Sequence, residues 1–163
     1  MKTYLRLVLM AVVLVAIDCK EKKTMLTSPT SSRYKAGQTW SFKTPSGQEL
    51  ASLVILKIES HPKLGVIVHI SLTGVSIPNP MVAGGVQRDI PHMPFAERAI
   101  DASVLKLVRE DGALPDYQEG YHNWRQAFDS GQGGIFTITV AEGFDVIRKA
   151  VEGYAKNRPN REE

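Results

Sequence analysis

The chain contains a single cysteine, Cys19, in 163 residues. That excludes an internal disulfide and any metal site built on paired cysteines. The four histidines, His61, His69, His92 and His122, show no close helical spacing, so no metal-binding pair can be read from them. No metal or cofactor is expected. No apolar run reaches the ~20 residues that a membrane-spanning helix needs. No G-x-S-x-G elbow is present, which removes the commonest sign of a serine hydrolase. A large excess of one charge is missing too: the formal net charge is +3, with 23% charged residues. The surplus is small and dispersed, so nucleic acid is not an expected partner.

What is present begins at the N-terminus. Lys2 and Arg6 precede an apolar run from Leu7 to Ile17, and Cys19 follows it. A short apolar run behind basic residues has the layout of a bacterial export signal. The placement of Cys19 resembles a bacterial lipoprotein signal, in which that cysteine carries the lipid. Asp18 stands where such signals hold a small residue, so cleavage elsewhere or retention as an anchor stays open. Lys20, Lys22 and Lys23 lie close behind and could touch anionic headgroups, an effect weakened by Glu21 among them. The expected location is the bacterial cell envelope: periplasmic, with membrane association through a lipid at Cys19.

Four segments are expected: an export signal over 1–19, a polar tether over 20–33, a single domain over 34–156 and a flexible tail over 157–163. The fold class expected is α+β, an antiparallel meander of three to five strands against two or three helices. Trp40 and Phe42 alternate with polar residues, as in a strand with one apolar face. Ser52 to Glu59 alternates strongly, with Val54, Leu56 and Ile58 on one side and Lys57 and Glu59 on the other. Val66, Val68, Ile70 and Leu72 form the inner face of the next strand, with His69, Ser71 and Thr73 outside.

Ile77 to Pro94 carries Pro78, Pro80, Pro91 and Pro94. It reads as a long loop with at most a short edge strand over Val86 to Ile90. A helix is expected over Phe95 to Arg109, ended by Gly112. Asp116 and Glu119 suggest a capping box for a second helix, with Tyr117, Tyr121, Trp124 and Phe128 along one face docked on the sheet. The glycines at 131, 133 and 134 leave a helix and enter a strand, so they read as helix termination and not as a phosphate loop. Ile135 to Val140 is expected as a last strand. Thr139 and Glu142 should then cap a final helix through Tyr154.

Gly37-Gln38-Thr39-Trp40, His92-Met93-Pro94-Phe95, Gly120-Tyr121-His122-Asn123-Trp124 and Gly133-Gly134-Ile135-Phe136-Thr137-Ile138 resemble segments of a family of small uncharacterised bacterial exported proteins. The resemblance implies one bacterial domain from about Tyr34 to Val151 and supplies no catalytic residues.

The leading functional expectation is an envelope-associated binding protein whose partner is another envelope protein. An immunity-type role against a periplasmic toxin is one version of it. The surface expected to carry binding comprises Lys57, Glu59, His69 and Ser71 on the outer sheet face, with Asp89 and His92 in the proline-rich loop. No catalytic residue is assigned. The alternatives are a small hydrolase using Asp89, His92 and Glu97, in which a carboxylate orients the histidine as a base, and a small-ligand carrier binding between the sheet and the aromatic helix.

Overall fold

The computed structural model describes residues 25–29 and 31–156. The leader expected over 1–19, with Cys19, and the tail expected over 157–163 lie outside the described residues. The elements run β1 (Thr39–Phe42), β2 (Ser52–His61), β3 (Gly65–Pro78), β4 (Val86–Ala96), α1 (Glu97–Ser103), β5 (Val104–Arg109), α2 (Gln118–Asp129) and α3 (Val140–Lys156). The five strands form one antiparallel sheet in the order β4-β3-β2-β1-β5. The fold is α+β, as its alternating apolar strands and amphipathic helices require. No helix among the described residues is long and apolar enough to cross a membrane.

One sheet face, with Leu53, Ile55, Val68, Ile70, Leu72, Met93 and Phe95, packs with Ile100 of α1 and Phe144 of α3 into the apolar core. The α3 helix comes very close to this face: a Cβ on Gly143 would lie 2.8 Å from Phe95 Cζ. The opposite face is covered by α2, where a Cβ on Gly120 would lie 2.8 Å from His92 Cβ. The two helices therefore clamp β4 from both sides.

Several sequence expectations change. The register of β2 shifts between Ile55 and Lys57, leaving Leu56 as an extra residue. A bulge of this kind reverses the alternation beyond it. Val54 therefore pairs with Ser71 on the α2 side, while Ile58 pairs with Val68 and packs against the core. The second half of the region expected as a loop, Val86 to Pro94, belongs to the 11-residue strand β4, longer than the edge strand expected over Val86 to Ile90, and Ile77 and Pro78 end β3. Prolines are tolerated there because β4 is an edge strand, with a free N–H side to spare. The helix expected over Phe95 to Arg109 is only α1, followed by β5. Pairing with β1 holds Val104–Arg109 extended against its helical composition. Ile135 to Val140 is not a strand: its sheet-like pairing is an isolated parallel bridge from Phe136 to Phe95.

The capping at 116 also differs. The N-cap of α2 is Tyr117, with no side-chain cap bond. Asp116 instead accepts a bond from the Gln118 N–H at 3.2 Å. At α3 the reciprocal box is present: Glu142 accepts from the Thr139 N–H at 2.8 Å, and Thr139 Oγ1 accepts from the Glu142 N–H at 3.3 Å.

Part of the segment read as a tether lies on the domain. Thr27 and Ser60 exchange two backbone bonds, at 3.0 and 2.8 Å. Ser32 donates to Glu97 at 2.6 Å, and Arg33 pairs with Asp101 at 2.9 Å.

Candidate functional site

The α2 face of the sheet holds the densest group of ionisable side chains. Successive outward positions of a strand lie on one face, so β2 supplies Lys57 and Glu59, β3 supplies His69 and Ser71, and β4 supplies His92. The α2 stripe brings Tyr121, Trp124 and Phe128 onto them. This face was expected to be an exposed binding surface. Its middle is instead covered: Glu59 is 7%, His69 0% and Ser71 1% exposed, while Lys57 and His92 stay partly exposed at its margin. The reason is the aromatic stripe, which needs an apolar or ring-lined surface to bury against and finds it here. Tyr121 and Trp124 meet the His69 ring edge-on at 5.3 and 4.7 Å, and Phe128 meets His61 at 5.6 Å.

Polar contacts link the group. Lys57 Nζ lies 3.0 Å from Glu59 Oε1 and donates to the Tyr121 hydroxyl at 2.9 Å. That hydroxyl donates to the Glu59 carboxylate, 3.1 Å from each oxygen. His69 Nε2 lies 3.1 Å from Glu59 Oε2, in a bent approach that falls short of a full hydrogen bond. On its other side, His69 Nδ1 is 2.9 Å from His92 Nε2. The carboxylate favours the tautomer of His69 with hydrogen on Nε2. His69 Nδ1 then accepts, and His92 Nε2 donates.

Charge follows from this arrangement. Burial alone would raise the Glu59 carboxyl, but the nearby His69 ring N–H and the Lys57 ammonium, with the lysine's charge, bring it down to about 2. Burial depresses His69, and Lys57 and Arg125 add to the effect while Glu59 opposes it. His92 is lowered to about 4, by burial first and then by His69. At neutral pH the cluster is thus one carboxylate, one ammonium and two neutral imidazoles. Arg125 beside it is held by Asp129 at 2.9 Å.

The hydrolase grouping is not assembled. Asp89 is exposed on the sheet edge opposite Thr73, and Glu97 opens α1, where it receives Ser32. Neither bonds to His92, whose carboxylate partner is reached through His69 and is Glu59. The rings of α2 fill the space between helix and sheet where a carried ligand was expected. Ser71 Oγ is buried with no hydrogen-bond partner. Among the described residues no group of three or more His, Cys, Asp or Glu could hold a metal ion. The cluster is built to close a structure, with its charges matched internally.

Sequence reasoning placed Lys57, Glu59 and His69 on one face, grouped His92 with them and docked Tyr121 on the sheet, but did not join Tyr121 to Glu59 or His92 to His69. A histidine and a glutamate in otherwise apolar strands were the available signal, because buried ionisable groups need partners from elsewhere in the fold.

Comparison of the chain with protein-family models, with curated proteins and with solved structures found no match.

Proposed function

We propose that the chain is an exported, envelope-associated binding protein, anchored through a lipid on Cys19, that pairs with another envelope protein along the free edge of β5. The observation that supports the binding reading is the difference between the two sheet edges. At the β4 edge, Pro91 and Pro94 remove donors, and Phe136 accepts from the Ala96 N–H at 2.8 Å and donates its own N–H to the Pro94 carbonyl at 2.9 Å. Such features blunt an edge against further strands. The β5 strand has no proline and no glycine, and among the described residues no further strand pairs with its outer edge. Leu105 and Val108 are 60% and 62% exposed there. An open edge with exposed apolar side chains suits addition of an extended segment from a partner. Lys106 and Arg109 favour a partner strand that carries carboxylates.

The anchored part of the reading rests on the leader and on Cys19 behind it. Mass spectrometry of the mature N-terminus tests it: an acylated Cys19 is expected, and a free downstream N-terminus overturns it. For the binding part, photo-crosslinking residues are placed at 105 and 108 in intact cells, with exposed Val146 on α3 as the control. One envelope-protein adduct is expected at both β5 positions and not at 146. No adduct at β5, or the same adducts at all three positions, counts against it.

A further inference from the structure

We infer that the end of the domain formed by the β2–β3 turn and the start of α1 docks on an anionic lipid surface. The inference rests on the anchored reading above and extends it to the orientation of the domain.

Three observations carry it. The first is a cavity of about 370 Å³ at this end, with Lys63, Leu64, Val66, Arg98 and Ile135 among its lining residues. Its size suits a phosphate-bearing headgroup. The second is charge. Lys63 and Arg98 are exposed at the cavity, and neither is paired with a carboxylate among the described residues. Glu97 also lines the cavity and is engaged by Ser32 at 2.6 Å. Leu64, at the tip of the turn, is 44% exposed between these cations, and an apolar tip flanked by basic groups matches the interface of an anionic bilayer.

The third observation is where the chain enters. Thr27 pairs with Ser60 in the antiparallel sense. Going back from Thr27 towards Met25 therefore means going forward along β2, towards Pro62 and Lys63. The chain reaches the domain at the same end as the cavity. Five residues lie between Cys19 and Met25, so the six steps from one to the other reach at most about 20 Å even when fully extended. A lipid on Cys19 would hold this end within that distance of the bilayer.

The test uses the full chain, extracted from a bacterial membrane and reconstituted into vesicles of phosphatidylcholine, with and without phosphatidylglycerol. Hydrogen exchange is read over residues 61–66, 96–98 and 135–137. Protection by about fivefold or more is expected in the anionic vesicles only, since each basic residue near such a surface shifts the equilibrium by about that factor. It should vanish at high salt and in the double variant Lys63→Gln with Arg98→Gln, whose fold is checked by circular dichroism. Equal protection in both vesicle types, or none in either, overturns the inference. Equal protection by inorganic phosphate in detergent also overturns it, because the site would then serve a soluble anion. The acyl state of Cys19 is measured on the same sample. An acylated chain without protection leaves the anchored reading standing and removes only the docking.

Discussion

His69 and His92 lie stacked, with ring centroids 5.2 Å apart, and Nδ1 of the first faces Nε2 of the second at 2.9 Å. Only one hydrogen fits between those two nitrogens. If both rings were protonated, two N–H groups and two positive charges would face each other under α2. The pair is therefore compatible with the closed fold only when at least one ring is neutral.

Stability should fall as the pH is lowered from about 6.5 to about 4. An unfolded histidine takes up a proton near 6.5, whereas folded His92 stays neutral down to about 4. The unfolded state thus binds more protons throughout that window, and stability rises with pH across it. His92 is partly exposed, which reduces the full linkage value to roughly 2–3 kcal/mol. Glu59 acts lower: its stabilisation is complete above 4.5, declines steadily below that and is gone once the pH has fallen through about 2. Thermal unfolding at a series of pH values checks this. His92→Leu should flatten the slope between pH 6.5 and 4, and a wild-type protein with no slope there would contradict it.

Glu59 and Tyr121 should be energetically coupled. The tyrosine hydroxyl receives Lys57 and reaches both carboxylate oxygens. Tyr121→Phe should cost about 1 kcal/mol, the net worth of such a bond. Glu59→Gln leaves Lys57 half-buried without its countercharge and should cost more, about 2–3 kcal/mol. In a double-mutant cycle by urea denaturation, a coupling of roughly 1 kcal/mol is expected. Strict additivity would mean that the contact carries no energy.

Three glycine-to-alanine changes separate helix propensity from close packing. Gly153 in α3 has open space around it, so Gly153→Ala should stabilise by up to about 1 kcal/mol. Gly120→Ala sets a methyl 2.8 Å from His92 Cβ. Overpacking of this kind costs about 1–3 kcal/mol and should outweigh the propensity gain. It should also push α2 off β4 and move the His92 titration upward towards its ordinary value, as followed by NMR. Gly143→Ala should destabilise similarly through Phe95 while leaving His92 unmoved.

Ser103 joins three elements. Its hydroxyl donates to the Ala99 carbonyl at 2.6 Å and accepts the Val140 N–H at 2.9 Å, while its carbonyl takes the Lys43 N–H. The residue is buried, so Ser103→Ala leaves the first N–H of α3 without a partner. A loss of about 1–2 kcal/mol is expected. Faster hydrogen exchange should appear at residues 140–143 before the sheet is affected.

Local signals in the sequence carried the fold well where they were strong. The alternation in β3, the stripe from Tyr117 to Phe128 and the Thr139–Glu142 box each specify their element within a few residues. They failed where a distant partner decides the outcome. Val104–Arg109 has helical composition, and only β1 makes it a strand. Pro91 and Pro94 argue against a strand until the edge position is known. A single bulge at Leu56 exchanges the two faces of β2, and no short-range pattern announces it. The cluster was harder still. His69 and His92 are 23 positions apart, and Tyr121 arrives from a helix that the chain forms much later.

The Thr27–Ser60 bridge has a mechanical consequence. On the reading proposed above, a chain anchored through Cys19 and bound along β5 would be a link under tension between two bodies. Among the described residues, a pull on the N-terminus meets the two backbone bonds at Ser60, then Ser32 with Glu97 and Arg33 with Asp101, and only afterwards the strands themselves. The domain therefore carries a short length of releasable slack. It can yield several residues of reach while the sheet and its β5 edge stay intact.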